Sequence, residues 1–102
     1  MAINTNIQED RNVVNITIAG IFDFDLHDEF RKAVGISRDY SHFKFVVDMG
    51  AVQDMDSSAL GMLLLLRESV QGDPTRIELV KCQPDIKEML LMANFDDMFT
   101  IK

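Results

Sequence analysis

The sequence predicts an α/β fold: a small mixed β-sheet of four to five strands with three or so helices packed against it. Three observations carry that expectation. The stretch VVNITIA, residues 13–19, alternates apolar and polar residues as a half-buried strand does. Further strand-like apolar runs are separated by stretches with helical spacing. The resulting order strand, helix, strand, helix, strand, helix demands crossover connections, which are right-handed in nearly all sheets. The 102 residues hold no repeat, linker or low-complexity tract, so a single domain over residues 1–102 is expected.

In chain order, Val14, Ile16 and Ile18 share one face of the first strong strand, and Gly20 closes the run. Residues 3–7 are expected to pair with it as an edge strand. From Asp25 to about Ser37 the spacing of Leu26, Phe30, Ala33 and Val34 predicts a helix. FKFVVD, residues 43–48, reads as a central strand whose apolar content leaves little room for a wet face. Residues 49–56 are expected as a connection into a second helix, roughly residues 57–71. That helix has almost no polar side before Arg67 and is expected to be buried on most faces, with Gly72, Asp73 and Pro74 punctuating its end. RIELVK, residues 76–81, predicts another strand, with Ile77 and Leu79 opposite Glu78 and Val80. Pro84 suits the first turn of a third helix carrying Ile86, Leu90 and Leu91. Residues 99–101 either add a short strand or pack down.

Composition narrows the function. Hydrophobic residues make up 47% of the chain, enough for a core and against wholesale disorder. The longest apolar run, residues 59–66, is too short to cross a bilayer, and polar residues from Asn4 to Glu9 argue against a signal peptide, so a cytoplasmic location is expected. Ten basic against seventeen acidic residues give a net charge of -7, which would repel nucleic acid and anionic membranes. Cys82 is the only cysteine, and His27 and His42 the only histidines, so an internal disulfide is impossible and a zinc site is not expected.

The informative stretch is DMDSSALGMLLLLRE, residues 54–68, where two serines stand at a helix start although one cap needs one hydroxyl. Asp56 or Ser57 suits the N-cap, which leaves Ser58 in the first turn with its hydroxyl free. Gly61 and Met62 follow one turn later on the same face. A glycine there costs about 1 kcal/mol relative to alanine, so a packing or access reason is expected. The residues alone leave two readings open. Both serines are helix-start residues and Gly61 serves close packing, or Ser58 is a modification site on an accessible face. A phosphoryl group on Ser58 would carry about -1.5 to -2 charges and would sit at the positive end of the helix. It would change what the surface binds and leave the fold intact.

The stretch Met55-Asp56-Ser57-Ser58-Ala59-Leu60-Gly61 resembles the signature of the STAS domain in the form used by bacterial anti-sigma factor antagonists. Gly20-Ile21-Phe22-Asp23 resembles that family's second hallmark, and element order and length extend the resemblance over nearly the whole chain. It departs at Ala59, where glycine is commoner, and in the phenylalanines flanking Asp23. The resemblance implies that Ser58 is the phosphoacceptor, modified by an anti-sigma factor with serine kinase activity and restored by a serine phosphatase. In a related arrangement these activities are fused to a response regulator. The unmodified form would bind the anti-sigma factor, and the phosphorylated form would be released. Asp23, Asp54, Asp56, Ser57, Gly61 and Met62 would complete the partner surface around Ser58. No cofactor and no enzymatic activity of its own are implied. The alternative is a scaffold subunit of a transporter ATPase, in which the serine need not be modified.

Other readings fare worse. A serine hydrolase needs a base and an elbow motif, and the chain has no Gly-x-Ser-x-Gly. Cys82 reads as a small core residue. Asp23, Asp25, Asp28 and Glu29 lack calcium-loop spacing and suit a helix start. Among the seven methionines, Met49 and Met55 bracket the loop before Ser57 and are candidates for the border of a partner surface.

Overall fold

The computed structural model describes residues 2–70 and 76–102. Among them the strands β1 (Ile3–Gln8), β2 (Val13–Phe22), β3 (Lys44–Met55), β4 (Ile77–Val80) and β5 (Thr100–Ile101) form one sheet in the order β1-β2-β3-β4-β5. β1 runs antiparallel to β2, and all later neighbours are parallel. Helices α1 (His27–Arg38), α2 (Ser57–Ser69) and α3 (Pro84–Met92) are the crossovers. Because each crossover joins adjacent strands in the same direction around the sheet, right-handedness puts all three helices on one face.

That topology explains a departure in β3. The run FKFVVD was expected to leave little wet face, yet Phe45 and Val47 are fully buried while Val46 and Asp48 are half-exposed. Register sets Ile16, Val47 and Leu79 side by side under the helices, and Thr17, Asp48 and Val80 together on the uncovered face. On that open face Glu78 accepts from Lys44 Nζ at 2.8 Å and Lys102 Nζ at 3.0 Å. These two hydrogen bonds hold the Glu78 carboxyl below its ordinary pKa.

The strands also run further than expected. β2 passes Gly20 to Phe22, and β3 continues through residues 49–55, which were read as a connection. The cause is two irregularities in the β2–β3 ladder, between Thr17 and Ala19 and between Gly20 and Ile21. At each, β3 carries one residue more than β2, as at a bulge. The buried positions of β3 therefore change from alternate residues (Phe45, Val47, Met49) to every third (Val52, Met55), and the alternation that marks a strand disappears. Gly20 takes φ +88°, a left-handed conformation that fits glycine at this twist.

α1 follows a 3-10 turn, Phe24–Leu26, capped by Asp23, whose Oδ1 accepts from Asp25 N at 2.9 Å. Phe30, Ala33 and Val34 pack inward, and Phe22 stacks on Phe30 with ring centroids 5.7 Å apart. α2 buries Ala59, Met62, Leu63 and Leu66, but Leu65 is 41% exposed, so this helix is wetter than its leucine run suggested. Its expected end at Gly72, Asp73 and Pro74 lies outside the described residues. In α3, Ile86 and Leu90 are buried whereas Leu91 is exposed. Burying Leu66 contributes a few kcal/mol, since a cavity left by Leu→Ala typically costs about 2–5 kcal/mol.

Candidate functional site

Ligand sites in open parallel sheets form beyond the carboxyl ends of the strands. At that end of β2 and β3, Ile21 pairs with Asp54 and Phe22 with Met55, so Asp23 and Asp56 leave neighbouring strands side by side. Asp56 N donates to Phe22 O at 3.4 Å and joins the two exits.

Asp56 is the N-cap of α2. Its Oδ1 accepts from Ser58 N at 2.9 Å and Ala59 N at 3.3 Å. The cap is thus a carboxylate, and neither serine hydroxyl is needed for it. Ser57 is exposed, Ser58 is half-exposed, and neither hydroxyl hydrogen-bonds to any described residue. A buried hydroxyl would require a partner; one at the rim meets water instead. Asp54 is exposed, with Oδ1 accepting from Met55 N at 2.8 Å.

One turn along α2, Gly61 is exposed, and a Cβ built on it would meet no atom within 4 Å. Close packing therefore does not account for this glycine, which leaves the helix surface bare beside Ser58. Met62 does not share that surface. Its side chain is 2% exposed and belongs to the core, because its position on the helix turns toward the sheet. Met49 and Met55, expected near a partner surface, are likewise core residues, at 0% and 4%. The structure so gathers Asp23, Asp54, Asp56, Ser57, Ser58 and Gly61 at one end of the molecule and sets Met62 beneath them.

Sequence reading missed the apolar part of this end. Ile21 is 57% exposed and Phe24 64% exposed, with Phe24 stacked on His27 at a centroid distance of 4.9 Å. Phe22 and Phe24 look equivalent in the sequence, and strand pairing alone turns the first inward. The remaining candidate groups settle elsewhere. Glu29 accepts from Ile3 N and ties α1 to β1. Cys82 is half-buried, its Sγ 3.7 Å from Leu79 O, and burial raises its thiol pKa away from the reactive thiolate. His42 packs edge-on against Phe43. No group of three or more metal-ligating side chains is assembled among the described residues, and no described helix is long and apolar enough to span a membrane.

The fold and this end define a class: a small α/β domain with an accessible serine in the first turn of the helix after its longest strand. Residues 4–102 match the STAS domain family, and the chain belongs to that family. A STAS-domain containing protein of Pseudomonas aeruginosa (strain UCBPP-PA14) is 39% identical over 104 residues, covering 99% of both chains. Among solved structures, an anti-sigma factor antagonist from Mycobacterium paratuberculosis superposes with a TM-score of 0.78 at 22% identity, over 97% of this chain and 84% of that one. The anti-sigma factor antagonist SpoIIAA in its unphosphorylated form gives 0.73 at 17% identity, over 99% and 87%. SpoIIAA of Bacillus in the phosphorylated form gives 0.72 at 16%, over 99% and 91%. The fold is thus that of the anti-sigma factor antagonists.

Proposed function

We propose that this chain is a phosphorylation-switched binding protein, an anti-sigma factor antagonist in which Ser58 is the phosphoacceptor. The observation that carries the reading is that Asp56 caps α2, leaving the Ser58 hydroxyl at the rim without a structural task. Modifying it removes no bond the fold uses. SpoIIAA, which shares the fold, exists in phosphorylated and unphosphorylated forms, and this supports the same chemistry here.

The modification would form an Oγ–P bond with transfer of the γ-phosphoryl of ATP, ADP leaving and the hydroxyl proton passing to the kinase. The kinase supplies the nucleotide, its metal and the base, so this chain needs no cofactor. The product adds about -1.5 to -2 charges beside the carboxylates of Asp23, Asp54 and Asp56. The positive end of α2 offsets part of that repulsion, but Asp56 already occupies the Ser58 and Ala59 amides. The added group therefore projects outward and obstructs whatever docks over Ser57, Ser58 and Gly61. Ile21 and Phe24 would supply the apolar contacts of that docking face. The partners are an anti-sigma factor with serine kinase activity and a serine phosphatase, separate or fused to a response regulator, in the cytoplasm.

Mass spectrometry of the protein isolated from its own cell tests this reading. Phosphate on Ser58, a Ser58→Ala variant that stays bound to the kinase partner under all conditions, and a folded Ser58→Asp variant that is released are the expected results. An unmodified Ser58 under every growth condition, or tight binding by Ser58→Asp, overturns it and leaves the scaffold alternative.

A further inference from the structure

Helices α1 and α2 both run back against the parallel strands and so lie parallel to each other. Between them opens a groove of about 510 Å³ whose lining includes Arg31, Val34, Gly35, Arg38, Leu65 and Glu68. We infer that this groove receives an acidic amphipathic helix of a partner protein, a docking site separate from Ser58.

Gly35 lies in this opening, where a Cβ would meet nothing within 4 Å, so the groove has free space along α1. Leu65 supplies exposed apolar surface at 41%, and Val34 the apolar floor at 6%. An amphipathic helix covers such a strip with residues spaced three and four apart. Charge selects its sign. The chain carries a net charge of -7, yet the α1 wall of the groove presents Arg31 and Arg38, both exposed. Neither forms an ion pair or hydrogen bond with any described residue.

Their spacing selects the partner's shape. Seven residues along an α-helix are two turns, about 10 Å of rise. Carboxylates seven residues apart on a second helix repeat that spacing and match both arginines. Glu68 on the α2 wall favours a basic residue on that flank of the partner and so sets its orientation. Leu65 lies seven residues beyond Ser58, again about 10 Å along the axis, so a group on Ser58 does not fill the groove. The site stands whether or not Ser58 is ever phosphorylated.

The test uses the full chain and a synthetic helical peptide of about 18 residues with leucines at i, i+3/i+4 and i+7 and flanking glutamates seven residues apart. Binding is read by fluorescence anisotropy and by amide shifts in NMR. The expected result is saturable binding with shifts centred on Val34, Gly35 and Leu65. Arg31→Glu/Arg38→Glu should weaken it by at least about fivefold, and 0.5 M salt should weaken it too. A peptide with lysines in place of the glutamates should not bind, and Ser58→Asp should bind the acidic peptide as wild type does. No binding, equal binding of both peptides, indifference to the double charge reversal, or shifts confined to the open sheet face would overturn the inference. The peptide substitutions keep the test decisive if the double variant is unstable. Loss of binding in Ser58→Asp alone would move the site to the serine face and overturn its independence.

Discussion

Substituting Gly61 by alanine sets stability and binding against each other. Gly61 is an exposed interior residue of α2, outside the left-handed region, with no atom within 4 Å of the place an alanine methyl would take. Alanine is favoured over glycine in a helix by about 0.8–1.0 kcal/mol, and nothing here opposes that gain. Gly61→Ala should therefore stabilise the domain by about 1 kcal/mol and raise Tm by about 4–8 °C in a chain of this size. Two glycines serve as controls of opposite sign. At Gly50 a Cβ would lie 3.1 Å from Asp48 Oδ1 and 3.3 Å from Lys81 Cβ, and that same Asp48 oxygen accepts from Gly50 N at 2.8 Å. At Gly20 the φ of +88° strains any side chain by about 1–2 kcal/mol. Both alanine variants should lower stability in urea or thermal denaturation. If the bare helix surface beside Ser58 is where the kinase partner docks, Gly61→Ala should weaken that binding while the protein becomes more stable. A destabilised Gly61→Ala would refute the open-space argument. A stabilised variant with unchanged binding would remove Gly61 from the partner surface.

Asp56→Ala should cost about 1 kcal/mol through loss of the cap on two amides, with Asp56→Asn retaining most of the stability in the same denaturation series. Glu78→Gln should cost on the order of 1 kcal/mol at neutral pH, since the lysines that hold Glu78 are 46% and 59% exposed and partly screened. The folded pKa of Glu78 lies below its ordinary 4.5, so its contribution is complete above that value and disappears as pH falls through the lower, folded value. The stability gap between wild type and Glu78→Gln should accordingly narrow below about pH 4.5 and close in stronger acid, and a gap that widened in acid would contradict the assigned pairing.

Much of the architecture was legible because alternation and helical spacing are local properties. Val14, Ile16 and Ile18, the inward stripe of α1, and the opposed faces of Ile77 and Glu78 all lie where their spacing places them. The helix start at Ser57 was legible for the same reason, with a carboxylate and two hydroxyls ahead of an apolar run. The extension of β3 was hidden, because two inserted residues erase the alternation and only pairing with β2 reveals it. The leucine run of α2 was expected to be buried on most faces, yet a helix on one face of a sheet turns some of its leucines, Leu65 among them, to water.

At the site, the sequence by itself determined the chemistry available: a serine in a first turn, carboxylates around it, and a bare glycine one turn on. Those choices depend on residue identity and short spacing. Tertiary structure decided accessibility and neighbourhood. It gave the cap to Asp56, set Asp23 beside it through the β2–β3 pairing, buried Met62, and turned Phe24 outward and Phe22 inward. Exposure is a relation between elements distant in the chain, fixed only once the sheet, its handed crossovers and its bulges have brought them together.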